Sequence, residues 1–108
     1  MAKQGGEQLS SDQFAVLSGS ISGTTNGTVS YSQLNIGGIK IMFLYFNGYE
    51  NDTTTNQSIT FPIPYTDAPT AIAGNSTLPA MTQTTTVLSI TAPDAVTVYT
   101  GTAIVMGI

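Results

Sequence analysis

One segment, 39–46, constrains the fold of this chain more than any other. In an extended strand, successive side chains lie on opposite faces. Both faces of this segment carry large apolar side chains, interrupted by a single cation: Ile39, Ile41, Phe43 and Tyr45 on one face, and Lys40, Met42, Leu44 and Phe46 on the other. In a small antiparallel domain the chain's own core covers one face, so the other face requires a second sheet or another subunit.

The remaining segments predict further short strands. Alternating or apolar runs bounded by Gly, Pro and Asn predict strands at 28–33, 57–63, 70–74 and 103–108, and a hairpin of 84–91 with 95–100. A tight turn is predicted at 35–38, where two glycines follow Asn35 and Ile36. Residues 19–27, 47–56 and 75–83 are predicted as loops. We therefore predict an all-β fold, an antiparallel β-sandwich of six or seven short strands.

The N-terminal residues form the least determined part of this reading. Residues 1–18 are predicted as a polar lead-in, and 19–108 as the sandwich domain. Ser10 and the three residues after it resemble a helix-capping sequence, but the segment up to Gly19 fits a short helix and a strand equally well.

Charge and composition exclude several function classes. The chain has 2 basic and 6 acidic residues, a net charge of −4, and neither His nor Cys. Two cations are too few for nucleic-acid binding, and an acidic chain is not drawn to anionic membranes. We expect no cofactor, no metal site and no membrane insertion, because imidazole and thiolate ligands are missing and the apolar runs are short. The polar surface is supplied mainly by 18 Thr and 10 Ser.

Three motifs in the C-terminal two thirds of the chain resemble the receptor-binding domain that ends bacteriophage tail fibres. In order, they are Ile39-Lys40-Ile41-Met42-Phe43, then Thr60-Phe61-Pro62-Ile63-Pro64-Tyr65-Thr66-Asp67-Ala68-Pro69, and finally Ala103-Ile104-Val105-Met106-Gly107-Ile108. The resemblance implies an H-type-lectin-like sandwich that assembles as a homotrimer and meets a bacterial cell-surface glycan or protein. It implies a place in the virion, at the fibre tip, or expression from a prophage in a bacterial host.

Two sets of residues are candidates for these contacts. Polar and aromatic side chains in the predicted loop and near strand ends are candidates for ligand binding: Asn47, Tyr49, Glu50, Asn51, Asp52, Tyr65 and Tyr99. The same residue types also serve as ordinary turn and core residues. Apolar residues of two strands are candidates for the oligomer interface: Met42, Leu44, Phe46, Ile104, Met106 and Ile108.

The sequence thus predicts a non-enzymatic receptor-binding tip of a tail fibre or a related injection device. A purely structural virion or fibre subunit without a ligand is the alternative. A small glycan hydrolase using Glu50 and Asp52 ranks third. Residues two apart on an extended chain point to opposite faces, which is poor geometry for two carboxylates that must flank one bond.

Overall fold

The computed structural model describes residues 14–74, 78–92 and 97–108. Within these ranges the chain forms eight strands and no helix: β1 (Phe14–Ser22), β2 (Asn26–Ile36), β3 (Ile39–Glu50), β4 (Gln57–Thr60), β5 (Thr70–Ala73), β6 (Met81–Gln83), β7 (Val87–Ile90) and β8 (Tyr99–Gly107). They make two antiparallel sheets, with strand orders β1-β2-β3-β8-β5 and β4-β7-β6. The predicted all-β sandwich is confirmed, with eight strands instead of six or seven.

The long hairpin of β2 and β3 organises the larger sheet. Its turn consists of Gly37 and Gly38, whose positive φ angles of 60° and 92° suit the twist of a two-residue hairpin. Ile36 pairs with Ile39 directly beside this turn, so the predicted tight turn is confirmed. The pairing then continues without a shift to Thr28.

The hydrophobic core lies between the two sheets. The larger sheet contributes one face of its central strands, and the smaller sheet contributes β4 and β7. The buried apolar side chains are Val29, Met42, Leu44, Phe46, Tyr49, Ala103 and Val105 from the larger sheet, Ile59, Leu88 and Ile90 from the smaller one, and Phe61 and Tyr65 from the segment after β4.

A buried glutamine joins that segment to the larger sheet. The Gln33 side chain donates to the Ile63 carbonyl at 2.9 Å and accepts from the Ile63 N–H at 2.7 Å. The rings of Phe61 and Tyr65 meet edge to face, with centroids 4.8 Å apart. The strand predicted at 57–63 ends at Thr60, because Pro62 has no N–H to continue the ladder.

Strand β1 changes the reading of the N-terminal part. It begins at Phe14 and pairs along its whole length with β2. The segment that fitted a short helix and a strand equally well is therefore a strand. The domain boundary predicted at 18/19 falls inside this strand. The predicted loop 19–27 shrinks to residues 23–25, and residues 1–13 lie outside the described residues.

The predicted hairpin of 84–91 with 95–100 is wrong. In the described residues β7 pairs with β4 and β6 in the smaller sheet, whereas β8 pairs with β3 and β5 in the larger one. The chain therefore crosses between sheets, and the segments predicted as separate strands at 95–100 and 103–108 contribute to the single strand β8. The predicted loop 75–83 contains β6.

Candidate functional site

A β-bulge near the end of β3 shapes the polar end of the molecule. The register with β8 shifts between Phe46 and Tyr49, and Gly48 at the shift has a φ of +58°. The extra residue moves Tyr49 onto the same inner face as Phe46, and their rings meet edge to face at 5.5 Å. Tyr49 is consequently only 1% exposed.

The Tyr49 hydroxyl is the centre of a hydrogen-bond network. It donates to Gln57 Oε1 and accepts from Asn51 Nδ2, both at 2.6 Å. Asn51 Oδ1 in turn accepts the Thr24 N–H at 2.7 Å, and Gln57 Nε2 donates to the Ser22 carbonyl at 3.0 Å. Burial raises the pKa of Tyr49 to about 12, and the hydrogen bond from Asn51 offsets part of this increase. The network joins the loop after β3 to the β1–β2 connection.

Asp52 forms a turn in the same loop. Its carboxylate accepts from the Thr54 N–H at 2.9 Å and from the hydroxyls of Thr54 and Thr55, each at 3.0 Å. These hydrogen bonds, the Thr54 N–H first, lower the pKa of the carboxyl below its usual 3.8. The geometry makes Asp52 an ionised turn cap.

The predicted ligand residues are dispersed in burial and in position. The buried ones are Tyr49, Asn51 and Tyr65, the half-buried ones are Glu50 and Tyr99, and the exposed ones are Asn47 and Asp52. Tyr65 lies beside Lys40, near the far end of β3, which is about 30 Å along the strand from Tyr49. The structure brings Tyr49, Asn51 and Tyr99 together, but buried Tyr49 presents no ring face for stacking on a ligand.

Half of the predicted oligomer interface lies inside the chain's own core. Met42, Leu44 and Phe46 are buried within the core cluster, so they offer no surface to a second copy. This part of the prediction is corrected, because β3 turns the face bearing Lys40 toward the smaller sheet. Of the other three candidates, Ile104 is half-buried, and Met106 and Ile108 are exposed.

The opposite face of the larger sheet between the Gly37–Gly38 turn and the β-bulge, here called the outer face, is exposed, and the strand residues that form it are uncharged. It consists of Val16, Ser18 and Ser20 on β1, Ser30, Ser32, Leu34 and Ile36 on β2, Ile39, Ile41, Phe43 and Tyr45 on β3, Thr102, Ile104 and Met106 on β8, and Thr70 and Ile72 on β5. Several of its large apolar side chains are about half exposed, including Phe43 at 45% and Ile39 at 57%.

A depression of about 390 Å³ lies on this outer face. Tyr45 is flanked by Ser30 and Thr102 on the neighbouring strands, and Phe43 by Ser32 and Ile104. Large rings beside small hydroxyl side chains leave space between them, and this difference in size produces the depression. Ring surfaces and hydroxyls in an uncharged setting suit a neutral, hydroxylated ligand such as a sugar.

None of the residues around this depression is among the predicted ligand residues. The sequence nevertheless contains the necessary signal. A two-residue turn at Gly37 and Gly38 fixes the pairing of β2 with β3, and counting back from it places Ser30 opposite Tyr45. The sequence does not show which face of β3 the smaller sheet covers, and without that information the exposed depression cannot be located.

The fold and this surface define the class: an all-β protein of two antiparallel sheets with a broad uncharged outer face. Comparison with protein-family models, curated proteins and solved structures finds no match for the chain. In the described residues, no helix is long and apolar enough to cross a membrane. The same ranges contain no group of three or more acidic side chains placed to bind a metal ion.

Proposed function

We propose that the chain is a non-enzymatic receptor-binding module, the tip of a phage tail fibre or a related injection device, which recognises a bacterial surface glycan or protein as a homotrimer. The observation that supports this most directly is the depression around Phe43 and Tyr45. It combines ring surfaces with serine and threonine hydroxyls, and none of the described residues that line it is charged. Three copies would raise the strength of attachment through avidity.

The aromatic residues of the depression are available for contact. Tyr45 is 46% exposed and Phe43 nearly as much, in contrast to the buried Tyr49. Both rings project from the central strand β3, which is paired on its two sides with β2 and β8. A site on paired strands is already formed before binding, so little ordering entropy opposes the ligand.

The alternative function, a purely structural virion or fibre subunit, is favoured by a different observation. Tyr49 and Asn51, the aromatic and amide side chains expected to hold a ligand, are both about 1% exposed and serve an internal network. A catalytic role has less support, because Asp52 is engaged by the threonines of its own turn.

Binding of labelled protein to a panel of bacterial cells and to a glycan array tests the proposal. Tyr45→Ala should weaken binding at least tenfold, while circular dichroism should show an intact fold. Asp52→Asn is the control, since it changes the polar loop and leaves the depression untouched. Loss of binding with Asp52→Asn but not with Tyr45→Ala would refute recognition at the depression. A wild-type chain that binds neither cells nor glycans would favour the structural alternative.

A further inference from the structure

Two asparagines of the chain, Asn26 and Asn47, are each followed by a glycine, whose nitrogen is not shielded by a side chain. In such a pair the glycine nitrogen can attack the asparagine Cγ. The N–Cγ bond forms and the Cγ–Nδ2 bond breaks, and the proton of the glycine N–H passes through water to the departing nitrogen, which leaves as ammonia. Water then opens the cyclic imide to aspartate or isoaspartate. We propose that Asn26 undergoes this spontaneous modification in the folded protein, and that the fold protects Asn47.

The Gly27 nitrogen already lies against the side chain that it would attack. Its N–H donates to Asn26 Oδ1 at 2.9 Å. Cγ is bonded to that oxygen at about 1.2 Å, so it lies within about 4 Å of the nitrogen. A nucleophile and a carbonyl carbon that the fold holds this close need little further ordering to react. The contact therefore prepares Asn26 for ring closure.

The backbone at Gly27 can adjust as the ring closes. The pairing of β2 with β3 shifts between Asn26 and Thr28 and passes over Gly27. A residue that the ladder leaves out is less constrained by the neighbouring strand than a paired one. Asn26 is also exposed, so ammonia can leave and water can reach the imide. The surroundings of this pair thus permit both steps of the reaction.

The second pair, Asn47 and Gly48, has the same two residues in a different setting. The Gly48 N–H donates to the Thr100 hydroxyl on β8 at 3.0 Å, and Asn47 is paired with Thr28 on β2. Ring closure would break that hydrogen bond and displace Asn47 from its pairing, and both changes cost free energy. Both asparagines are exposed and both glycines have a positive φ, so neither property distinguishes the two pairs.

The modification would alter the connection between β1 and β2. Asn26 is paired with Glu50, so an aspartate formed there faces a second carboxylate across the strands, and facing like charges destabilise a sheet. An isoaspartate lengthens the backbone by one carbon directly after Thr25, whose N–H donates to the Glu50 carbonyl at 2.9 Å. The modified chain should therefore unfold at a lower urea concentration than the unmodified one.

Peptide mapping by mass spectrometry tests the proposal on the full chain, incubated in mildly alkaline buffer without any ligand. In the folded protein, Asn26 should lose its amide at least about tenfold faster than Asn47, because only Asn26 is held against its nucleophile. In urea that unfolds the chain, the two rates should approach each other, since both asparagines precede a glycine. The comparison of the two conditions separates the effect of the fold from that of the local sequence.

A variant tests the protection of Asn47. Thr100→Val removes the hydroxyl that accepts the Gly48 N–H while it keeps the shape of the side chain, and it should speed the reaction of Asn47 several-fold. Thr82→Val is the matched control, because Thr82 is an exposed threonine on β6 in the other sheet; it should leave both rates unchanged. Circular dichroism checks that both variants fold.

Three results would overturn the proposal. The first is an equal rate at Asn26 and Asn47 in the folded protein. The second is a folded-state rate at Asn26 that lies tenfold or more below its rate in urea. The third is a rate at Asn47 that Thr100→Val leaves unchanged. None of these measurements uses a receptor, so their outcome is independent of recognition at the depression.

Discussion

The Tyr49 hydroxyl offers the sharpest test of how the polar end is stabilised. Tyr49→Phe removes one oxygen and leaves the ring, which keeps its contact with Phe46. The change therefore isolates two hydrogen bonds, one to Gln57 and one from Asn51, each at 2.6 Å. Any loss of stability then measures the network and not the packing of the core.

The magnitude follows from what each partner loses. Asn51 is 1% exposed, and without the hydroxyl its Nδ2 retains only a longer contact with the Thr55 carbonyl at 3.4 Å. Gln57 loses less. Its Nε2 keeps the hydrogen bond to the Ser22 carbonyl at 3.0 Å, and its Oε1 can bind water because the side chain is only half-buried. A buried polar group left unpaired costs about 1–3 kcal/mol, and we expect about 2 kcal/mol in total, mostly from Asn51.

Urea unfolding measures this directly. The midpoint should fall by about 0.7–2 M at an unchanged slope, because the slope of a small domain is about 1–3 kcal/mol/M. Wild type and variant are compared at one chain concentration, so that self-association, which would add to stability, is the same in both. Tyr45→Phe is the control, and its exposed hydroxyl should change stability by less than about 0.5 kcal/mol. If Tyr49→Phe falls within that same range, the network does not stabilise the loop.

Two further predictions concern buried polar groups. Because burial raises the pKa of Tyr49 from 10.0 to about 12, its neutral form stabilises the folded state fully below about pH 10, and this contribution is lost as the pH rises toward 12. Burial also raises the pKa of Tyr65, so Tyr49→Phe should reduce the alkaline loss of stability, measured by unfolding at several pH values, without abolishing it. Gln33→Leu should destabilise the chain by about 1–3 kcal/mol in urea unfolding, since the Ile63 N–H and carbonyl lose both partners; a neutral result would contradict the role given to Gln33.

The elements that could be predicted from sequence depend on local signals. The Gly37–Gly38 turn was predictable because adjacent glycines adopt the positive φ angles that a two-residue hairpin needs. The segment 39–46 was predictable as a strand because its apolar and β-branched residues exceed what one face requires. An apolar C-terminal strand was predictable for a similar reason, and it is paired on both sides, with β3 and β5.

The parts that failed depend on long-range pairing or on a shift of one residue. The bulge before Tyr49 reverses which side chains face the core, and the presence of Gly48 is not enough to predict it. The segments 84–91 and 95–100 looked like a hairpin because they are close in sequence. Strand β7 instead completes the smaller sheet between β4 and β6, a pairing set by the core and not by the intervening turn.

The choice between the two faces of β3 decides where the proposed binding site lies, and the position of Lys40 explains why the sequence could not make that choice. From sequence alone, a lone cation on an apolar face suggests the rim of the sheet or an intersubunit boundary, and the rim is the more common place for a lysine because its long stem lets the charge reach water. In the structure Lys40 is buried on the inner face beneath the Tyr65 ring, and its ammonium reaches the Gly38 carbonyl. The face with the charge is therefore the core face. The opposite face, with Phe43 and Tyr45, remains exposed, and it carries the depression proposed for a neutral ligand.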